Sequence, residues 1–159
     1  MTQPTYAEDR AAIEDLMARY LFALDFLDFE TYQNTFTEDG VLDWARGEEH
    51  GRHAIGEVAR TMAASMVSYF GRETKIRHFV TQTVIRVDGD RAWCRAAWFE
   101  AYDNGPDGAP NMGTFGHYED ELVRQDGQWL YKRRRIVNEF LKGREAGPDN
   151  PVVKMDAIP

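Results

Sequence analysis

Four long segments rich in β-branched and aromatic residues fill the second half of the chain: Thr74–Val87, Arg91–Tyr102, Met112–Arg124 and Trp129–Phe140. No helical period separates them. Val87-Asp88-Gly89-Asp90 and Arg124-Gln125-Asp126-Gly127 put Asp-Gly at hairpin tips, and Asn104-Gly105-Pro106-Asp107-Gly108 forms a longer connection. Strands joined so briefly run antiparallel, because parallel neighbours need a crossover of a dozen or more residues. The chain is therefore committed to a meander with one face to bury.

The first half supplies the cover. Ile13, Leu16, Met17, Tyr20, Leu21 and Leu24 recur at gaps of three and four, on one face of a helix. Thr5-Tyr6-Ala7-Glu8 has the form of a capping box, so this helix starts there and runs to about Phe26 or Leu27. Asp28 reads as the N-cap of a second helix, Phe29 to about Phe36. Glu38-Asp39-Gly40 is a turn signal, Val41–Trp44 a short strand, and Ala45–Gly51 a loop or hairpin. Ile55, Val58, Ala59, Met62, Met66 and Tyr69 mark a third helix that Gly71 stops. The class is α+β: a curved antiparallel or mixed sheet wrapped round three helices from the N-terminal half. A twisted sheet round a long helix leaves an open end, a natural ligand cavity. Residues 1–142 are expected to form one domain. The tail from Gly143 to Pro159 has no period and three prolines, and either lies over a neighbouring surface or is partly disordered.

A length of 159 residues suits one domain with a sizeable core. The net charge of −8 argues against nucleic acid and anionic membrane as partners. Lys132-Arg133-Arg134-Arg135 is the exception, but in a strand its members alternate faces. No apolar run approaches the roughly 20 residues that span a bilayer, and the N-terminus has no secretory pattern. One cysteine, Cys94, excludes an internal disulfide and suits a reducing, cytoplasmic setting; its neighbours place it in the core. No phosphate loop, nucleophile elbow or HExxH helix is present. His50-Gly51-Arg52-His53, near Asp43 and Glu48, has metal-ligand spacing but reads as exposed loop and helix start, so no metal is expected.

Asp25 is the conspicuous polar residue of the first helix. It lies between Leu24 and Phe26, where a carboxylate is costly without compensation. Either it faces the core, or it sits on the helix flank or caps the turn before Asp28. His78 shares parity with Val80, Gln82 and Val84 in the first strand of the meander, and a carboxylate beside such an imidazole raises its pKa and fixes its tautomer. His117 lies opposite Tyr118, Asp120 and Leu122. Both faces carry apolar residues, so His117 is one candidate and Tyr118 with Asp120 the alternative. Phe22, Trp44, Phe70, Trp98 and Phe115 are candidates for a pocket lining or for core. Trp93, Trp98, Phe99 and Tyr131 suggest more apolar sheet than three helices cover, and hence a homo-oligomer, dimer or trimer.

Ile13, Leu16, Tyr20 and Asp25, followed by Phe36-Thr37-Glu38-Asp39-Gly40, resemble the SnoaL-like, scytalone dehydratase-like branch of the nuclear transport factor 2-like superfamily. Arg77-His78, the run Val87–Ala92, and the run Tyr118–Trp129 extend the resemblance over about residues 8–140. It implies a cone with an internal pocket. It also implies a cofactor-free enzyme acting on a small hydrophobic, cyclic molecule. Scytalone dehydratase, the bile acid 7α-dehydratase and hexachlorocyclohexane dehydrochlorinase use a His–Asp pair for eliminations, and His78 and Asp25 match its two positions. Tyr20 matches the tyrosine of the bile acid enzyme. Arg135, with Arg133 as alternative, is the counterpart of a C-terminal-strand arginine, and His117 loosely matches a second histidine. The resemblance thus implies His78 as base, Asp25 as its orienting partner and Tyr20 as donor. Trp44, Phe115, His117, Tyr118 and Arg135 are the expected substrate contacts. Alternatives within the superfamily are an isomerase or polyketide-type cyclase using Asp43 or the same His78–Asp25 dyad, and a non-catalytic binding or assembly module.

Overall fold

The computed structural model describes residues 4–139 and 147–159. Phe140, the expected end of the last strand, and Gly143, the expected start of the tail, lie outside the described residues.

Helix α1 spans Tyr6–Asp25 and begins in the expected capping box: the Glu8 carboxylate accepts from the Thr5 amide, and Thr5 Oγ1 accepts from the Glu8 amide. Its apolar stripe, Ile13, Leu16, Met17, Tyr20 and Leu21, is buried. Asp28 caps α2, Phe29–Asn34, accepting from the Thr31 amide at 3.1 Å. Strand β1, Phe36–Trp44, starts earlier than the turn signal allows. Glu38-Asp39-Gly40 is an irregularity inside the strand, where the pairing register shifts between Phe36 and Val41. Gly40 is required there, since a Cβ would lie 2.9 Å from the Phe36 Cβ. Strand β2, Gly47–His50, closes a hairpin, and α3, Arg52–Phe70, ends at Gly71 in the left-handed region.

The meander follows as β3, Ile76–Asp88; β4, Arg91–Tyr102; β5, Asn111–Gln125; and β6, Gln128–Asn138. The open six-stranded sheet has the order β2-β1-β6-β5-β4-β3. All neighbours are antiparallel except β1 and β6, so the sheet is mixed. Asp9 ties α1 to it: Arg124 donates to both carboxylate oxygens at 2.7 and 3.0 Å, and Trp129 Nε1 adds a third bond at 3.1 Å.

Local irregularities decide which side chains face the helices. Opposite Leu122 and Glu121 on β5 stand Tyr131 and Arg133, so Lys132 is an extra residue in β6. The bulge reverses parity, and Arg134 rather than Arg133 or Arg135 enters the core. It is fully buried and bidentate to Asp120 at 2.9 and 2.7 Å, beneath the rings of Tyr20, Tyr118 and Tyr131. Trp98 and Tyr131, two of the aromatic residues counted toward surplus apolar sheet, are core residues. Trp93 is buried as well, with the guanidinium groups of Arg86 and Arg91 packed on its ring. The tail supplies a short helix, α4, Pro151–Asp156, tied to the sheet through Arg86, which donates to the Met155 and Ile158 carbonyls. Cys94 is buried beside Met17, and burial pushes its thiol pKa up.

Candidate active site

A cavity of about 800 Å³ opens between α1, α3 and the sheet. Its wall is mostly apolar: Leu24, Leu42, Trp44, Val58, Met62, Met66, Trp98 and Ile136 contribute. Tyr20, Tyr32 and Tyr118 bring phenol groups, and Asp25, His78 and Glu100 bring charge.

Asp25 is the last residue of α1. The carbonyl end of a helix repels a carboxylate, and α1 has no basic residue in its last turn. Compensation comes from β3. The His78 amide donates to Asp25 Oδ2 at 2.9 Å, and His78 Nδ1 lies 2.6 Å from Oδ1. Arg77 donates to the Asp25 carbonyl at 3.1 Å while its guanidinium covers the Phe26 ring. The flank and cap readings of Asp25 are thereby set aside: its carboxylate is buried against His78.

The other face of the imidazole meets a second carboxylate. His78 Nε2 lies 3.2 Å from Glu100 Oε2. Glu100 is itself held: its Oε1 accepts from Tyr102 Oη at 2.5 Å, the Thr114 amide at 3.2 Å and the Thr114 hydroxyl. Gly113 permits this arrangement, because a Cβ there would fall 2.2 Å from the Tyr102 ring and 2.8 Å from Glu100 Cγ. Burial drives the His78 pKa down, but hydrogen bonds to Asp25 and Glu100 outweigh it and raise it to about 9. Burial pushes the Glu100 carboxyl up, and its bonds to His78, Thr114 and Tyr102 bring the balance below the usual value.

Tyr20 is buried, with its hydroxyl 3.2 Å from that of Tyr32. Two hydroxyls in contact use one O–H between them and leave the other free to donate. Burial raises the pKa of both phenols, which keeps them protonated.

Of the expected residues, His78, Asp25, Tyr20, Trp44 and Tyr118 meet at the cavity. Phe115, His117 and Arg135 do not line it among the described residues. On β5, Tyr118 and Asp120 point inward, so His117 and Phe115 lie on the outer face; His117 is bonded to Glu119 at 3.3 Å and Glu139 at 3.1 Å. Arg135 pairs with Asp43 at 3.4 Å and Glu119 at 3.7 Å on that same side, a consequence of the β6 bulge. Asp43 is likewise held by Arg133 at 3.3 Å and does not line the cavity. Glu100 and Tyr32 are the residues that sequence reasoning missed. Glu100 had a signal: it shares strand parity with Cys94, Ala96 and Trp98, a carboxylate on an apolar face. Among the described residues, no group of three or more His, Cys, Asp or Glu is disposed to hold a metal ion, and no helix is long and apolar enough to cross a membrane.

Among solved structures, Rv3472, a function-unknown protein from Mycobacterium tuberculosis, is 28% identical, with a TM-score of 0.72 over 93% of this chain and 84% of that one. A Novosphingobium aromaticivorans protein named provisionally as a scytalone dehydratase is 25% identical, with a TM-score of 0.65 over 82% of this chain and 83% of its own. The uncharacterized protein Rv2910c of M. tuberculosis is 27% identical over 135 residues, 84% of this chain and 88% of its own length. The SnoaL-like domain model matches residues 5–135, the stretch that builds α1 and most of the sheet, and the chain belongs to the SnoaL-like domain family.

Proposed function

We propose that the protein is a cofactor-free lyase that eliminates water from a small hydrophobic, cyclic substrate. The observation that carries this reading is the 2.6 Å contact between Asp25 and His78 in the wall of a largely apolar cavity. An elimination needs one group to remove a proton, one to protonate the leaving oxygen, and a dry site that holds the substrate still. His78 is the proton-transfer group and Asp25 holds its ring. The hydroxyl that the Tyr20–Tyr32 pair has to spare is a donor for a substrate carbonyl, where negative charge develops. The family resemblance and the likeness to a protein provisionally named a dehydratase point the same way. An isomerase with Asp43 as its base is disfavoured, since Asp43 is engaged by two arginines outside the cavity.

A non-catalytic binding module is the second reading, favoured by one feature: both ring nitrogens of His78 face carboxylates, as in a purely structural ion cluster. Wild type and His78→Ala are to be compared on a panel of hydroxylated cyclic ketones, with loss of water as readout and binding measured in parallel. The lyase reading expects turnover by the wild type and a loss of about 10²–10⁴-fold in the variant, with binding nearly intact. Turnover that His78→Ala leaves untouched refutes the assignment of His78. Binding without turnover across the panel leaves the binding module.

A further inference from the structure

We propose that Glu100 is a catalytic residue, the base of the elimination, and that His78 enters the reaction as the protonated acid. This rests on the lyase reading and reverses the role that the resemblance implies for His78.

The geometry of the ring carries the inference. A neutral imidazole has one N–H and can donate to one partner only. His78 faces Asp25 Oδ1 at 2.6 Å and Glu100 Oε2 at 3.2 Å. With both acids ionised, as the lowered carboxyl of Glu100 favours, the two contacts are satisfied together only by an imidazolium, which has no lone pair with which to accept a proton. Glu100 is arranged differently. Its Oε1 takes the bonds from Tyr102 and Thr114, and its Oε2 faces His78 at the cavity wall with lone-pair capacity to spare. The resting pair is thus a loaded acid beside an unloaded base, consistent with the upward displacement at His78 and the downward one at Glu100.

The step balances without any further reagent. Glu100 Oε2 takes the proton from a carbon next to a carbonyl, and the C–H electron pair forms the carbon–carbon double bond. The C–O bond at the neighbouring carbon breaks, and its electron pair receives the Nε2 proton of His78, so water departs. Glu100 is left protonated and His78 neutral. Transfer of that proton across the 3.2 Å contact restores the starting state. A carboxylate held at low pKa removes protons only from acidified carbon, which defines the substrate class as a β-hydroxy ketone or its vinylogue.

The test combines Glu100→Gln and Glu100→Asp with nitrogen-15 titration of the His78 ring. Glu100→Gln is expected to lower kcat by about 10²–10³-fold with KM within roughly threefold, and Glu100→Asp to recover part of the loss. The His78 pKa is expected to fall by about one unit or more in Glu100→Gln, because a carboxylate partner is gone. In the wild type, kcat should decline between about pH 8 and 10 as the imidazolium is lost. A histidine base would instead give a rate that rises through this range. A Glu100→Gln variant active to within threefold, or a kcat that climbs as His78 deprotonates, overturns the inference and leaves the lyase reading intact. If the wild type is inert on the panel, the lyase reading falls and the catalytic assignment of Glu100 falls with it, whatever the titration reports.

Discussion

Nε2 of His78 stands 3.2 Å from Oε2 of Glu100, and the opposite ring nitrogen stands 2.6 Å from Oδ1 of Asp25. Each residue alone is out of place: a carboxylate at a helix C-terminus, a second one on the apolar face of a strand, and an imidazole under partial burial. Together they compensate one another, as desolvated charges must. The cluster joins α1 to β3 and β4, so the same contacts hold this part of the cavity wall in shape and set its protonation state.

Stability should therefore depend on pH above neutrality. The folded pKa of His78, about 9, lies above its ordinary 6.5. A raised pKa contributes stability that is complete below about 6.5 and lost as pH rises through 9. The amount at stake is roughly 3 kcal/mol. Urea unfolding at pH 6.5 and 9.5 should show a clear fall in midpoint for the wild type and a much smaller one for His78→Gln. Equal falls in both would place the titrating group elsewhere.

Asp25→Asn removes the closer of the two carboxylates but keeps the shape. The imidazolium then has Glu100 alone, and its pKa should drop toward the ordinary value. Turnover is expected to fall by about 10–100-fold, with the high-pH decline in rate moving to lower pH. An unchanged pH profile in this variant would show that Asp25 does not govern the protonation of His78.

Gly113 acts at one remove. Its missing Cβ leaves room for the Tyr102 ring and the stem of Glu100. Gly113→Ala should displace Tyr102 from Glu100, reducing kcat by about 10-fold or more while the far-UV spectrum stays that of the wild type. Gly127→Ala is the control: at φ 78° it strains a turn, yet nothing around it would meet the added methyl. A Gly113→Ala enzyme with full activity would mean that the Tyr102 bond to Glu100 is dispensable.

Arg134 and Arg135 differ by one position and by everything else. Arg134 is fully buried with Asp120, whereas the Arg135 side chain is 49% exposed. Arg134→Ala leaves a buried carboxylate unpaired and should cost about 3–5 kcal/mol. Arg135→Ala should cost about 0–1 kcal/mol. Chemical denaturation of the two variants decides the matter, and comparable losses would contradict the parity set by the β6 bulge.

That bulge marks the limit of what the sequence discloses. Helix periods, the capping box, the Asp28 cap and both Asp-Gly hairpins are local signals, and each element formed close to its expected span. Asp25 and His78 were legible because each broke an apolar pattern at the edge of an element. Arg135, which the resemblance offers as a substrate contact, lies outside the cavity because the residue inserted at Lys132 shifts the alternation of β6, and nothing local announces the insertion. The turn signal at Glu38-Asp39-Gly40 misled for a related reason: Phe36 before it and Val41 after it both pair with β6, so the strand runs through the irregularity. The face of β5 could not be chosen locally either, because which side meets α1 is a tertiary fact. Glu100 was legible in principle, by the reasoning that singled out Asp25.

The residues that argue for assembly have changed along with the faces. Trp98 and Tyr131 are core, and Trp93 is covered, so they no longer speak for an interface. A different apolar strip remains. Phe79 stacks on Phe99 at 4.8 Å, and Phe99 stands opposite Phe115 on the neighbouring strand. Phe79 is 44% exposed and Phe115 48% exposed. Three phenylalanines in a row across β3, β4 and β5 form an outer-face patch of the kind that isolated soluble chains avoid. A second copy is the expected cover, since most soluble oligomers are symmetric and self-complementary. Sedimentation at tens of micromolar should therefore report a dimer or trimer. Phe79→Lys and Phe115→Lys, outward-facing on the side of the sheet away from the cavity, should shift the population to monomer. A wild type that sediments only as monomer at this concentration would end the assembly prediction and leave the strip unexplained.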